Sequence, residues 1–207
     1  MFRVRIFALL MLCGWLGSCV PWTVRPIEPE TKAPATAAAY VDSIWSSGLV
    51  SAVMNGAVDA RILLDAVAAS PAEARTRYAH SCCFLVKGTG TVLSLDARSR
   101  VSLALVDIAP FDGKPDVSIQ IGPVLRGNSL RDATGIVRFT DFTNQLQFAD
   151  AGNEINERVL KTVLAPVVND LAAGCTIRFA GALEAKQNSS PALAELVPVQ
   201  LALEAQR

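Results

Sequence analysis

In FLVKGTGTVLSLDA, residues 84–97, the spacing of apolar residues changes. Upstream, apolar side chains recur every three to four residues. From Phe84 onward they recur every second residue, and the run is rich in β-branched types, which is the signature of a half-buried strand. RVSLALVDIA, residues 100–109, repeats the pattern after Asp96-Ala97-Arg98-Ser99, a turn-forming tetrad, so the two runs read as a hairpin. VSIQIG, residues 117–122, is a third strand behind the turn-prone Phe111-Asp112-Gly113-Lys114-Pro115. IVRFTDF, residues 136–142, is a shorter strand candidate. NEINERVLKTVLAPVV then returns to helical spacing through Ile155, Val159, Leu160, Val163 and Leu164, with Asn153 as the expected cap. CTIRFAGALEA and LVPVQLALEA close the chain as two more strands. Three strands, a helix and two strands is the order of an OB-fold, a five-stranded antiparallel barrel with one helix between strands 3 and 4. Gly88 and Gly90 inside the first strand suit its strong coiling. An open antiparallel sheet with a helix on one face has the same element order and stays open as the alternative.

Residues 36–79 are expected to be helical and to form a subdomain ahead of the barrel domain, residues 80–207. TAAAYVDSIWSSGLVSAVM places Tyr40, Ile44 and Trp45 on one face as core anchors. DARILLDAVAAS is a second helix, capped by Asp59, with Leu63, Leu64 and Val67 inward. Ser70-Pro71-Ala72-Glu73 has the layout of a capping box and starts a third. The expected class is therefore α+β.

The N-terminus reads MFRVRIFALLMLCGWLGSCV. Arg3 and Arg5 precede an apolar run from Ile6 to about Leu16, shorter than the ~20 residues a bilayer requires. The layout is that of a signal peptide over residues 1–18. Leu16-Gly17-Ser18-Cys19 resembles a bacterial lipobox, in which the cysteine is lipidated and becomes the mature N-terminus. An ordinary signal peptide or a signal anchor are the alternatives, and the lipobox fits at every position. Residues 20–35, VPWTVRPIEPETKAPA, carry four prolines and extend from Cys19 as a stiff tether. At the polyproline rise it would reach up to ~50 Å. The expected location is the periplasm, with the chain lipid-anchored to a membrane.

The 207 residues are 51% hydrophobic and 18% charged, with 19 basic and 19 acidic side chains. A full core is available. A neutral balance and 6% aromatics argue against nucleic acid as a partner, even for an OB-fold. Catalysis has little to work with. His80 is the single histidine, so any nucleophile–histidine pair would have to use it, and its neighbour Cys82 is close in sequence without the spacing such pairs need. No metal-ligand spacing, phosphate loop or cofactor motif is present. Asp132 and Asp141 are two carboxylates with nothing beyond their presence to suggest acid–base work. Three cysteines follow Cys19: Cys82, Cys83 and Cys175. In an oxidising compartment a disulfide from Cys82 or Cys83 to Cys175 is open, as are three buried thiols; a vicinal Cys82–Cys83 bond would be strained.

The polar run GPVLRGNSLRDATGIVRFTDFTNQ, residues 122–145, is the candidate binding surface. Arg126 and Arg131 can fork onto a carboxylate, and Asn144 and Gln145 can read hydroxyls. Asn128, Asp132 and Asp141 complete the set. The same residues also suit an internal network that satisfies the backbone of a long irregular connector, and that structural role is expected to come first.

The lipobox, AAAYVDSIW, FLVKGTGTV, IGPVLRGNSLRDA and FTDFTNQLQFADAGNEIN together resemble an uncharacterised family of predicted periplasmic lipoproteins found beside ribose-type sugar ABC transporter genes. The resemblance runs from about Tyr40 to Gly181 and is most specific over residues 121–156. It implies an exported, tethered protein with an OB-like barrel and no assigned reaction. It also implies transporter components or a solute-binding protein as partners. AHSCCFLVKG departs from the family pattern, being shorter before the first strand and holding two cysteines.

Overall fold

A computed structural model describes residues 36–184 and 195–204. The signal peptide, Cys19 and the proline-rich tether lie outside the described residues. Among the described residues, seven strands form one sheet: β1 (Val58–Asp59), β2 (Ala79–His80), β3 (Cys83–Asp96), β4 (Leu103–Ile108), β5 (Val117–Gln120), β6 (Thr176–Glu184) and β7 (Glu195–Leu203). The period-two runs became β3 to β7. β3 is long enough to serve two partners. Its first part pairs with β6, Cys83 opposite Glu184 through Thr91 opposite Thr176, and its second part pairs with β4, Gly90 opposite Ile108 through Asp96 opposite Leu103. β4 pairs with β5, β5 with β7, and β7 with β6, so the five long strands close a circuit of ladders.

Two expectations are corrected here. The sheet has seven strands, because β1 and β2 add short ladders to β3. The circuit is not antiparallel throughout, because β5 and β7 run parallel. An odd-membered ring cannot alternate direction all the way round, so one neighbouring pair must run the same way. Gly90 lies where β3 changes partners. A Cβ there would collide with the Asp107 carbonyl and the Val106 side chain, so the close crossing requires glycine.

Helices α1 (Ala37–Ile44) and α2 (Ser51–Gly56) are joined by a π-helical turn, Trp45–Val50, rather than forming one regular helix. α3 (Ala60–Ala69) is capped by Asp59, which accepts from the amides of Arg61 and Ile62. α4 (Pro71–Tyr78) starts at Ser70 with proline first, as expected, but the Ser70 side chain makes no capping bond. These helices do not pack apart from the sheet. Val41, Leu49, Val53 and Leu63 share one apolar core with Val92, Ala104, Val106, Ile119, Ile177, Phe179 and Leu196 from the strands. Residue 80 is therefore no packing boundary, and residues 33–207 form one compact unit.

Between β5 and β6 lie α5 (Ser129–Ala133), a 3-10 turn at Phe139–Asp141, and α6 (Gln145–Val159), which continues as a π-helical turn to Leu164. IVRFTDF is thus not a strand. Asp141 Oδ2 accepts the Arg138 amide and closes the chain into a turn, a local bond that competes with ladder formation. The cap of α6 is Asn144, whose side chain accepts the Gln147 amide at 3.0 Å, and Asn153 lies inside the helix. Among the described residues, no helix is long and apolar enough to cross a membrane.

Candidate binding surface

Residues 121–144 leave the sheet through backbone bonds from Ile121, Gly122 and Val124 to the carbonyls of Ser102, Val101 and Arg100. Gln120, at the end of β5, is 2% exposed. Its Oε1 accepts the Arg126 amide at 2.7 Å, and its Nε2 donates to the Arg126 carbonyl at 3.3 Å and to Glu195 Oε2 at 3.0 Å. The exposed Arg126 guanidinium reaches Glu195 Oε1 at 2.9 Å. A buried amide thus positions an arginine–glutamate pair at the surface. Gln120, Arg126, Gly127, Ser129, Glu184 and Glu195 line a cleft of about 150 Å³. A shallower depression at the β3–β4 tip, lined by Ser94, Leu95, Asp96, Ala97, Arg98 and Leu105, is largely open to solvent.

The other expected residues point elsewhere. Asn128 packs against Gly152 of α6 so closely that a Cβ on Gly152 would strike its Oδ1. Arg131 is 11% exposed. Its Nε donates to Asp132 Oδ1 at 2.7 Å, its Nη1 to the Phe148 carbonyl at 3.3 Å, and its guanidinium lies 4.0 Å from the Phe148 ring centroid. Asp141 accepts the Tyr40 hydroxyl at 3.1 Å, tying α6's approach to α1. Burial, then the neighbouring Asp141 charge, pushes the Tyr40 phenol up to about 12. Asn144 is occupied as a helix cap and Gln145 is exposed on the first turn of α6. The seven residues therefore fall into three places rather than one: Arg126 at the cleft, Asn128 with Arg131 and Asp132 between α5 and α6, and Asp141 with Asn144 and Gln145 beside α1. Tyr40, expected as a core anchor, is partly buried against the core and edge-on to Phe142 at 4.9 Å.

Gln120, Ser129, Glu184 and Glu195 were not legible as cleft residues. Gln120 and Glu195 belong to β5 and β7, strands far apart in sequence that become neighbours only through the parallel pairing. A glutamine inside an otherwise apolar strand was the one signal available.

The three cysteines among the described residues are free thiols: Cys82 exposed, Cys83 buried and Cys175 half-buried. The β3–β6 register decides against the long-range bridge, one of the two open alternatives. Cys83 faces Glu184 at one end of the ladder, whereas Cys175 precedes Thr176 at the other. At strand rise the separation is on the order of 25 Å, far outside the Cα spacing a disulfide spans. Cys82 and Cys83 instead hold their sulfurs 3.2 Å apart. His80 is exposed and pairs across the turn with Cys83. Among the described residues, no three histidine, cysteine or acidic side chains are placed to hold a metal ion.

A family model described as predicted periplasmic lipoprotein matches residues 8–202. An OB-fold protein from Thermotoga maritima, a solved structure, aligns over 81% of this chain and 98% of its own, with a TM-score of 0.67 at 20% identity. That likeness shows the fold. Two OBodies bound to hen egg-white lysozyme align over 62% of this chain, and 83% and 80% of theirs, at 16% identity and a TM-score of 0.32. No curated protein matches.

Proposed function

The chain belongs to the family of predicted periplasmic lipoproteins, and on that premise we propose that it is a non-enzymatic accessory protein of a sugar-uptake system in the bacterial envelope. It is held to the membrane through lipidated Cys19, and its OB-type barrel meets a transporter component or a solute-binding protein through the surface around Arg126. The observation that carries this reading is how the connector spends its polar groups. Arg131, Asp132, Asp141 and Asn144 bond within the fold, while the Arg126–Glu195 pair is displayed at the surface on a buried Gln120. An exposed arginine held by a half-buried glutamate suits recognition of a complementary protein face. The sugar-uptake setting comes from the family resemblance. Nucleic acid is a poor partner for a periplasmic barrel with balanced charge.

Cross-linking in intact cells followed by purification from membranes tests the reading. Transporter or solute-binding components should be recovered with the wild-type chain and be depleted several-fold by Arg126→Glu. Recovery of none of them overturns it.

A second reading is a direct receptor for a small sugar-like molecule, with residues 122–145 at the rim. The cleft's amide and carboxylate groups favour it; its size, below the ~300–1,000 Å³ of ordinary ligand sites, weighs against it. A rise in Tm with one member of a sugar panel, lost in Gln120→Ala, would favour this reading over the first.

A further inference from the structure

We propose that Cys82 and Cys83 are a reversible thiol–disulfide couple, a vicinal oxidation site on the turn that joins β2 to β3. The register makes the turn short. His80 faces Cys83 and Ala79 faces Phe84, leaving Ser81 and Cys82 as its two central residues. Ser81 takes the left-handed conformation, φ 57°, that tight hairpins require. The turn thereby sets two adjacent cysteines in unlike surroundings, Cys82 in solvent and Cys83 buried. It also turns their side chains toward each other, with 3.2 Å between the sulfurs. A disulfide needs about 2.0 Å, so the sulfurs must approach by about one ångström and the peptide between them must adjust, but no separate elements have to come together.

The chemistry follows thiol–disulfide exchange with a small or protein disulfide of the oxidising periplasm. The Cys82 thiolate attacks one sulfur of that disulfide, the incoming S–S bond breaks, and one thiol departs. Cys83, deprotonated, then attacks Cys82 Sγ, and the second thiol leaves. One S–S bond forms in the protein and one is lost from the oxidant. Two electrons pass to the oxidant, and the two cysteine protons end on its thiols.

Exposure makes Cys82 the entry point. Burial, the Cys82 neighbour and the charges of Asp132 and Glu184 push the Cys83 thiol up, so Cys83 reacts from within the pair rather than on its own. Cys175 sits at the far end of the β3–β6 ladder, its thiol directed to the Asp170 carbonyl. A ring closed between sequence neighbours is strained, and strain makes a disulfide easy to reduce, which suits a reversible site. The turn is placed to matter, because Glu184, opposite Cys83, lines the cleft, and α5 touches both β2 and β3.

The test uses the membrane-extracted protein, reduced, then exposed to glutathione disulfide, alkylated with iodoacetamide and digested with trypsin. Peptide 78–87, YAHSCCFLVK, should become lighter by two hydrogens and carry no alkyl group, while the 162–178 peptide is alkylated at Cys175. Dithiothreitol should restore double alkylation of 78–87. Cys83→Ser should stop at a glutathione adduct on Cys82. The proposal is overturned if wild-type 78–87 remains doubly alkylated, stops at the glutathione adduct, or appears cross-linked to the Cys175 peptide.

Discussion

Arg131 and Tyr40 show what the polar residues between the sheet and its helices do. Arg131 bonds Asp132, caps the Phe148 carbonyl and covers the Phe148 ring with little of itself in water. Arg131→Ala strands those partners, and the urea midpoint should report a loss of about 1–3 kcal/mol. Arg131→Lys should recover only part of it, since an ammonium cannot fork onto a carboxylate and stack at once. Tyr40 yields a pH signature. The folded chain holds its phenolic proton more tightly than the unfolded chain does, so the associated stability is whole below pH 10 and disappears as pH rises through about 12. Urea midpoints across that window should fall for the wild type and fall less for Tyr40→Phe. A flat wild-type profile would contradict the burial of the Tyr40 phenol beside Asp141. At this scale the residue types were legible and their targets were not. Arginine, aspartate and asparagine in a glycine-punctuated run announce hydrogen bonding. Whether they turn to a ligand or to α6 depends on helix packing that no local pattern encodes.

The elements were legible where periodicity is long and misread where it is short. β3 announces itself over fourteen residues, and α6 by its buried Ile155 and Val159. IVRFTDF alternates over too few residues to outweigh the bonds Asp141 makes to Arg138 and Tyr40. The start of α6 was placed nine residues late because Asn153 precedes the most apolar turns. The true start carried its own sign. Asn144 is followed three residues on by Gln147, whose side chain reaches back to the Thr143 amide at 3.1 Å, close to a capping box. Asn144→Ala should therefore cost about 0.5–2 kcal/mol in chemical denaturation. Asn153→Ala, exposed in mid-helix, should change stability by less than about 0.5 kcal/mol. Equal effects would place the helix boundary elsewhere.

The described molecule is a closed circuit of five strands with helices that share its core. Element order was legible in the sequence, but it left a closed ring and an open sheet equally possible, and the β3–β6 ladder decides between them. Its parallel β5–β7 contact follows from the odd number of strands, and with it comes the cleft, because that contact brings Gln120 and Glu195 together. The proposed role depends on the chain being fixed at a membrane, where a small barrel with a surface charge pair meets transport proteins at high local concentration. A single acyl chain holds a protein only marginally, so stable anchoring calls for more than one. Intact-mass spectrometry of the membrane-extracted protein, with and without Cys19→Ala, tests this most directly. The mature chain should start at Cys19, carry the mass of more than one acyl chain, and be lost from membranes in the variant. A chain cut elsewhere, without lipid and released as a soluble product, would contradict it.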